Sequence, residues 1–186
     1  MRATDELEKE HHGIRLMLQV LRALAQKLRV GESVEPAHLD QMMDFFTVFV
    51  DKCHHGKEEE YLFPALTAAG VVREGGPIGV LLSEHALGQE LVERMQEALS
   101  LLRVEVDDPV GKASFQSIAE EYEALMLQHI DKEQTVLFAL ANAKLDESKD
   151  LELSAAFERL EEDRIGKGTH EKFHAFLDKM ATVYLH

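Results

Sequence analysis

Cys53-His54-His55-Gly56-Lys57-Glu58-Glu59-Glu60-Tyr61-Leu62-Phe63 is answered 75 residues later by Gln128-His129-Ile130-Asp131-Lys132-Glu133-Gln134-Thr135-Val136-Leu137-Phe138. Both stretches read H-x-x-K-E-x-x-x-L-F. Residues four apart share a helix face, so each copy sets an imidazole beside a carboxylate. Each copy also has a forerunner, Glu10-His11 for the first and Glu84-His85 for the second, with His85 following His11 by 74 residues. The chain is built from two matched halves, each needing two helices.

Working outward, the apolar periodicity agrees. Leu7, His11, Ile14, Leu18, Leu21, Ala25 and Leu28 step by four and three, as in the seam of a bundle helix, and Gly31 stops it. Pro36 suits the first turn of a second helix whose seam runs through Met43, Phe46, Val50, His54 and Glu58, with a kink or break expected near Pro64. The third carries Ile78, Leu81, His85, Val92, Met95, Leu99 and Leu102. The fourth carries Phe115, Ile118, Tyr122, Leu125, His129, Glu133, Val136 and Leu140. Short connections between four amphipathic helices predict an all-α, up-down-up-down four-helix bundle over residues 1–145. Residues 146–186 are predicted to form a C-terminal helical extension, broken around Gly166-Lys167-Gly168 and packed on the bundle.

Composition narrows the function. Twenty Lys and Arg against 35 Asp and Glu leave a formal charge of −15, which argues against nucleic acid and anionic membranes as partners. The single cysteine, Cys53, excludes an intramolecular disulfide framework and reads as an inert buried thiol. The N-terminus has no apolar signal region and no stretch is long enough to span a bilayer, so a cytoplasmic location is expected.

His11, His54, His85 and His129 each replace an apolar residue in the seam, one per helix, and Glu58 and Glu133 join them at i+4. Burying four imidazoles and two carboxylates without a cation would carry a heavy desolvation cost. A cation pair removes that cost. Carboxylate and imidazole without thiolate suit iron, manganese or zinc. Two shared carboxylates and two imidazoles apiece leave each ion short of six donors, an arrangement for small exogenous ligands.

Glu10-His11, His54-x-x-x-Glu58 through Leu62-Phe63-Pro64, Glu84-His85 and His129-x-x-x-Glu133 resemble the hemerythrin-like, HHE cation-binding family over roughly residues 5–143. The resemblance implies a four-helix bundle holding two iron ions as an oxo- or hydroxo-bridged di-iron centre, with zinc or manganese as substitutes. Carried over, His11 and His54 bind one iron, His85 and His129 the other, and Glu58 and Glu133 bridge. The oxygen carriers of the family use a fifth histidine, with H-x-x-x-H on the third helix and H-x-x-x-x-D on the fourth. Here Leu81 and Gln89 flank His85 at four residues, and the fourth helix has Glu133 at i+4. The chain is therefore similar to the four-histidine, two-glutamate branch.

That branch includes di-iron proteins implicated in iron-centre repair and in nitric oxide or peroxide chemistry. The function expected first is binding of O2 or NO for storage, scavenging or sensing. Alternatives are an enzyme acting on peroxide or nitric oxide, an iron–sulfur centre repair protein, or a bundle whose metal only stabilises it. No oxidoreductase cofactor motif accompanies the centre, so turnover implies an electron-donor protein as partner.

Other residues read less sharply. His12 and His55 sit off the seam and are expected to be exposed or hydrogen-bonded polar groups. Glu59 and Glu60 are expected in solvent, with Glu59 an alternative ligand if the register shifts by one. Glu10 and Glu84 are either contacts to imidazole N–H groups or surface charge. Tyr122 either packs in the core or lines the open side of the site. In the tail, His170 extends a stripe through Phe173, Leu177, Met180 and Tyr184. The tail is then a lid or brace, unless His170 enters or gates the metal site, or pairs with His174 at a separate metal.

Overall fold

The computed structural model describes residues 1–105, 108–166 and 168–185, without the side chains of residues 170 and 171. Among the described residues every regular element is helical. Helix α1 is Arg2–Arg29 and α2 is Pro36–Asp44. The second bundle helix continues through π-wound stretches at Phe45–His55 and Glu58–Leu62 into α3, Phe63–Ala68. Next come α4, Pro77–Val104, and α5, Pro109–Lys132, which passes through a π-wound Glu133–Leu137 into α6, Phe138–Lys144. The remaining helices are α7, Glu147–Arg164, and α8, Thr169–Tyr184.

Local chemistry sets the ends. Gly31 takes φ 78°, a left-handed turn that costs glycine little and closes α1. Asp108 accepts from the amides of Val110 and Gly111 at 3.0 and 2.9 Å, capping α5 ahead of Pro109. Pro64 does not break the second bundle helix. It falls in the first turn of α3, where the winding changes from π to α and a missing N–H is tolerated.

Side-chain pairs fix the antiparallel topology. Lys57 reaches Glu6, while His54 meets His11, so the second helix descends as α1 rises. Gln89 meets Asp51 and Gln96 meets Thr47. Lys132 meets Glu84 and Arg94 meets Glu121, while Arg15 and Arg22 meet Asp131 and Glu123. Each pair of neighbours runs in opposite directions, which gives the expected up-down-up-down order.

Two apolar cores flank a polar layer. The larger includes Met17, Leu21, Phe46, Phe49, Met95, Phe115 and Met126. The smaller includes Leu7, Leu62, Phe63, Leu137, Phe138 and Phe157. Between them lie the seam histidines and glutamates. The extension closes over this arrangement: Phe157 of α7 enters the smaller core, and Leu177 and Met180 of α8 enter the larger. Four seam positions differ from expectation, Leu28 and Leu140 being only half-buried. Val136 is 45% exposed and Leu137 is fully buried instead, because π winding past Glu133 turns the inward face on by one residue. Leu125 is only half-buried, and Met126 takes the core position.

Candidate metal centre

The histidines and glutamates of the repeat lie in the polar layer, its lysines stand behind them, and its Leu-Phe ends belong to the smaller core. In the first half, Lys57 Nζ donates to Glu10 Oε1 at 2.5 Å, and Glu10 Oε2 lies 2.7 Å from His54 Nδ1. In the second, Lys132 pairs with Glu84, whose Oε2 lies 3.0 Å from His129 Nδ1. A carboxylate can only accept here, so Nδ1 carries the proton and Nε2 faces inward. The closing phenylalanines cross between halves. Phe63 stacks on His85 at 5.8 Å between centroids, and Phe138 stacks on His11 at 5.5 Å.

The inward atoms converge. His11 Nε2 and His54 Nε2 are 3.1 Å apart, and so are His85 Nε2 and His129 Nε2. Glu133 spans the two pairs, with Oε2 at 3.1 Å from His11 Nε2 and Oε1 at 3.1 Å from His129 Nε2. Glu58 spans them less tightly, at 3.9 Å from His54 and 3.5 Å from His85. All six side chains are at most 2% exposed. Despite these approaches, no oxygen of Glu58 or Glu133 makes a hydrogen bond of good geometry. Buried carboxylates without donors, beside paired imidazole nitrogens aimed at the same space, fit a cation-binding centre. Two donor groups result, His11 with His54, Glu58 and Glu133, and His55 with Glu58, His85 and His129, each with its atoms within 4.8 Å of one another.

The field in the layer follows from the same contacts. Burial alone would lower His85, but the Glu58 carboxylate beside it and its bond to Glu59 push it up to about 10. Burial likewise opposes charge on His54, yet Glu58 and Glu10 raise it. For Glu133 burial favours the neutral acid, and His129 and His11 overcome it, holding the carboxyl well below its usual range. Glu10 is lowered to about 2 against the same opposition, by His54 and Lys57.

His55 is a residue the sequence reading misplaced. It is 3% exposed, stacks on His85 at 3.8 Å with 12° between planes, and joins the second donor group. An α-helix would turn His55 away from the face that His54 presents. The π winding of Phe45–His55 brings both inward. The second helix thus supplies a fifth histidine where the third has none. Burial, then the neighbouring His85 and His129, hold His55 well below the usual histidine range.

The remaining candidates fall elsewhere. Glu59 stays outside both donor groups and instead meets His85 Nδ1 at 2.6 Å. Glu10 and Glu84 are imidazole contacts, not surface charges. His12 is exposed, and Glu60 pairs with Arg164. Tyr122 packs edge-on against Phe46 at 5.0 Å, outside the donor groups. Cys53 is buried and its thiol pushed up to about 12 by that burial. His174 packs against Phe49. The His170 side chain, and with it the gating and paired-metal readings of His170, lies outside the described residues. Lys57 was unmarked as a functional residue, although its recurrence as Lys132 was the available signal.

The chain belongs to the hemerythrin family, since the family model for the hemerythrin HHE cation binding domain matches residues 2–141. Uncharacterized proteins of Mycobacterium tuberculosis and Mycobacterium bovis are 24% identical to it over 181 residues, covering 97% of this chain and 68% of theirs. No solved structure gives a significant match. No helix among the described residues is long and apolar enough to cross a membrane.

Proposed function

We propose that the chain is a non-haem di-iron protein that binds O2 or NO, for storage, scavenging or sensing. One observation carries the reading: four imidazoles and two carboxylates converge in a buried layer with no thiolate among them. Imidazole and carboxylate suit iron, and zinc or manganese would occupy the same donors. His11 and His54 would hold one ion, and His85 and His129 the other. Glu58 belongs to both donor groups and Glu133 reaches a histidine of each half, which supports both as bridges. His55 is an added donor on the second ion's side. The metal pair, when bound, supplies open coordination positions for a small ligand.

The chain's own residues do the rest. Glu10, Glu84 and Glu59 fix ring orientation through Nδ1, while Phe63 and Phe138 shield the flanks from water. Anaerobic reconstitution with ferrous iron, followed by optical spectra under oxygen, nitric oxide and peroxide separately, tests the function. A reversible O2 or NO adduct is expected. Irreversible oxidation with sustained consumption of peroxide or nitric oxide, given a protein electron donor, would replace binding with catalysis.

A further inference from the structure

A second space, lined by both polar and apolar side chains, adjoins the centre. A cleft of about 300 Å³ separates the Phe45–His55 stretch from α4, with Thr47, Asp51 and His55 on one wall and Gln89, Glu93 and Gln96 on the other. Gln89 Nε2 donates to Asp51 Oδ1 at 2.6 Å, and Gln96 Nε2 donates to Thr47 Oγ1 at 3.3 Å, so the walls are tied at two levels. Gln89 and Glu93 are exposed, whereas His55 is 3% exposed, so the cleft leads from solvent to the inner histidine.

His55 is what makes this more than an acidic depression. Neither of its ring nitrogens has a hydrogen-bond partner. One of them lies within 4.8 Å of donor atoms of Glu58, His85 and His129. On the cleft side, Asp51 Oδ1 stands 3.8 Å from His55 Nδ1. A divalent cation bonded to both would span that gap, since its bonds to nitrogen and carboxylate oxygen are each about 2.0–2.2 Å.

We propose that this cleft is the route by which divalent cations reach and leave the metal centre, with Asp51 and His55 as a transit site. The proposal rests on the centre being metal-binding. The cleft's chemistry selects the traveller. Asp51 and Glu93 attract cations and repel anions, and the formal charge of −15 adds to this. Thr47 and the two glutamines offer oxygens that replace water as a hard cation dehydrates. The carboxylates favour a cation, whereas an apolar diatomic gas would gain only from the lining of Phe46, Val50, Val92 and Tyr122. The flanks behind His54 and His129 are unsuited, because Lys57 and Lys132 stand there behind Glu10 and Glu84.

Cobalt(II) uptake by chelator-stripped protein, read as visible absorption in stopped flow, tests the route, together with EDTA-driven loss from the loaded protein. Asp51→Asn removes the mouth charge, and Gln96→Trp fills the cleft. Both are expected to slow uptake and loss, because a transit site lowers the barrier in both directions. For uptake by Asp51→Asn the slowing is about tenfold, the low end of what a focused field contributes to an on-rate. Final cobalt per chain should match the wild type. If the stripped protein does not hold its fold, the loss arm decides alone. Wild-type rates in both variants would overturn the route, and lower final cobalt in Asp51→Asn would make Asp51 a permanent ligand, also against it. A wild type that binds no cobalt would instead overturn the metal centre itself.

Discussion

Lys57 and Lys132 hold the same place in the repeat and have different surroundings. Lys57 is fully buried, 2.7 Å from Glu6, 2.5 Å from Glu10 and 3.5 Å from Glu161 of α7. Lys132 is 43% exposed and pairs with Glu84 alone among the described residues. Removing one member of a buried charge cluster leaves the others uncompensated and costs about 3–5 kcal/mol, whereas an exposed pair contributes at most about 1 kcal/mol. Lys57→Met should therefore lower the urea midpoint far more than Lys132→Met. Equal shifts would show that the burial difference has no energetic weight. The six ligand candidates were legible because each sits at a repeated offset on an apolar seam. The lysines were equally visible as letters, but nothing in the letters says which carboxylate they reach. That contact joins residues on different helices.

At the scale of elements, four helices and their order were legible from periodicity and turn residues. The winding was not. An α-helical reading puts His55 and Leu137 off the inner face, and π turns at Phe45–His55 and Glu133–Leu137 bring them in. Those turns arise where ligand side chains from four helices must meet, a tertiary demand that local propensity does not record. The amphipathic tail announced packing, and α7 shows its anchor in Phe157, fully buried among Leu7, Leu62 and Phe63 in the smaller core. Phe157→Ala should destabilise the protein by about 3–5 kcal/mol, as large-to-small core changes do. Thermal unfolding checks it, and an unchanged midpoint would mean α7 is loosely held.

At the scale of the molecule, the polar layer sets buried carboxylates and imidazoles between two apolar cores, a costly arrangement that a bound cation would relieve. Among the described residues, the charges around it are arranged unevenly. Lysines stand behind the His54 and His129 flanks, Phe63 and Phe138 close over His85 and His11, and the Asp51–His55 cleft lies on the remaining approach described above. The paired symmetry seen in the sequence survives in Glu58 and Glu133, each of which approaches a histidine of both halves, and His55 breaks it by joining one of the two groups. The central claim is that the two halves share one buried metal pair. Metal content after anaerobic ferrous reconstitution measures this most directly, in the wild type and in His54→Ala and His129→Ala. The account predicts an iron pair per wild-type chain and a clear loss in each variant, while iron content unchanged by both substitutions would contradict it.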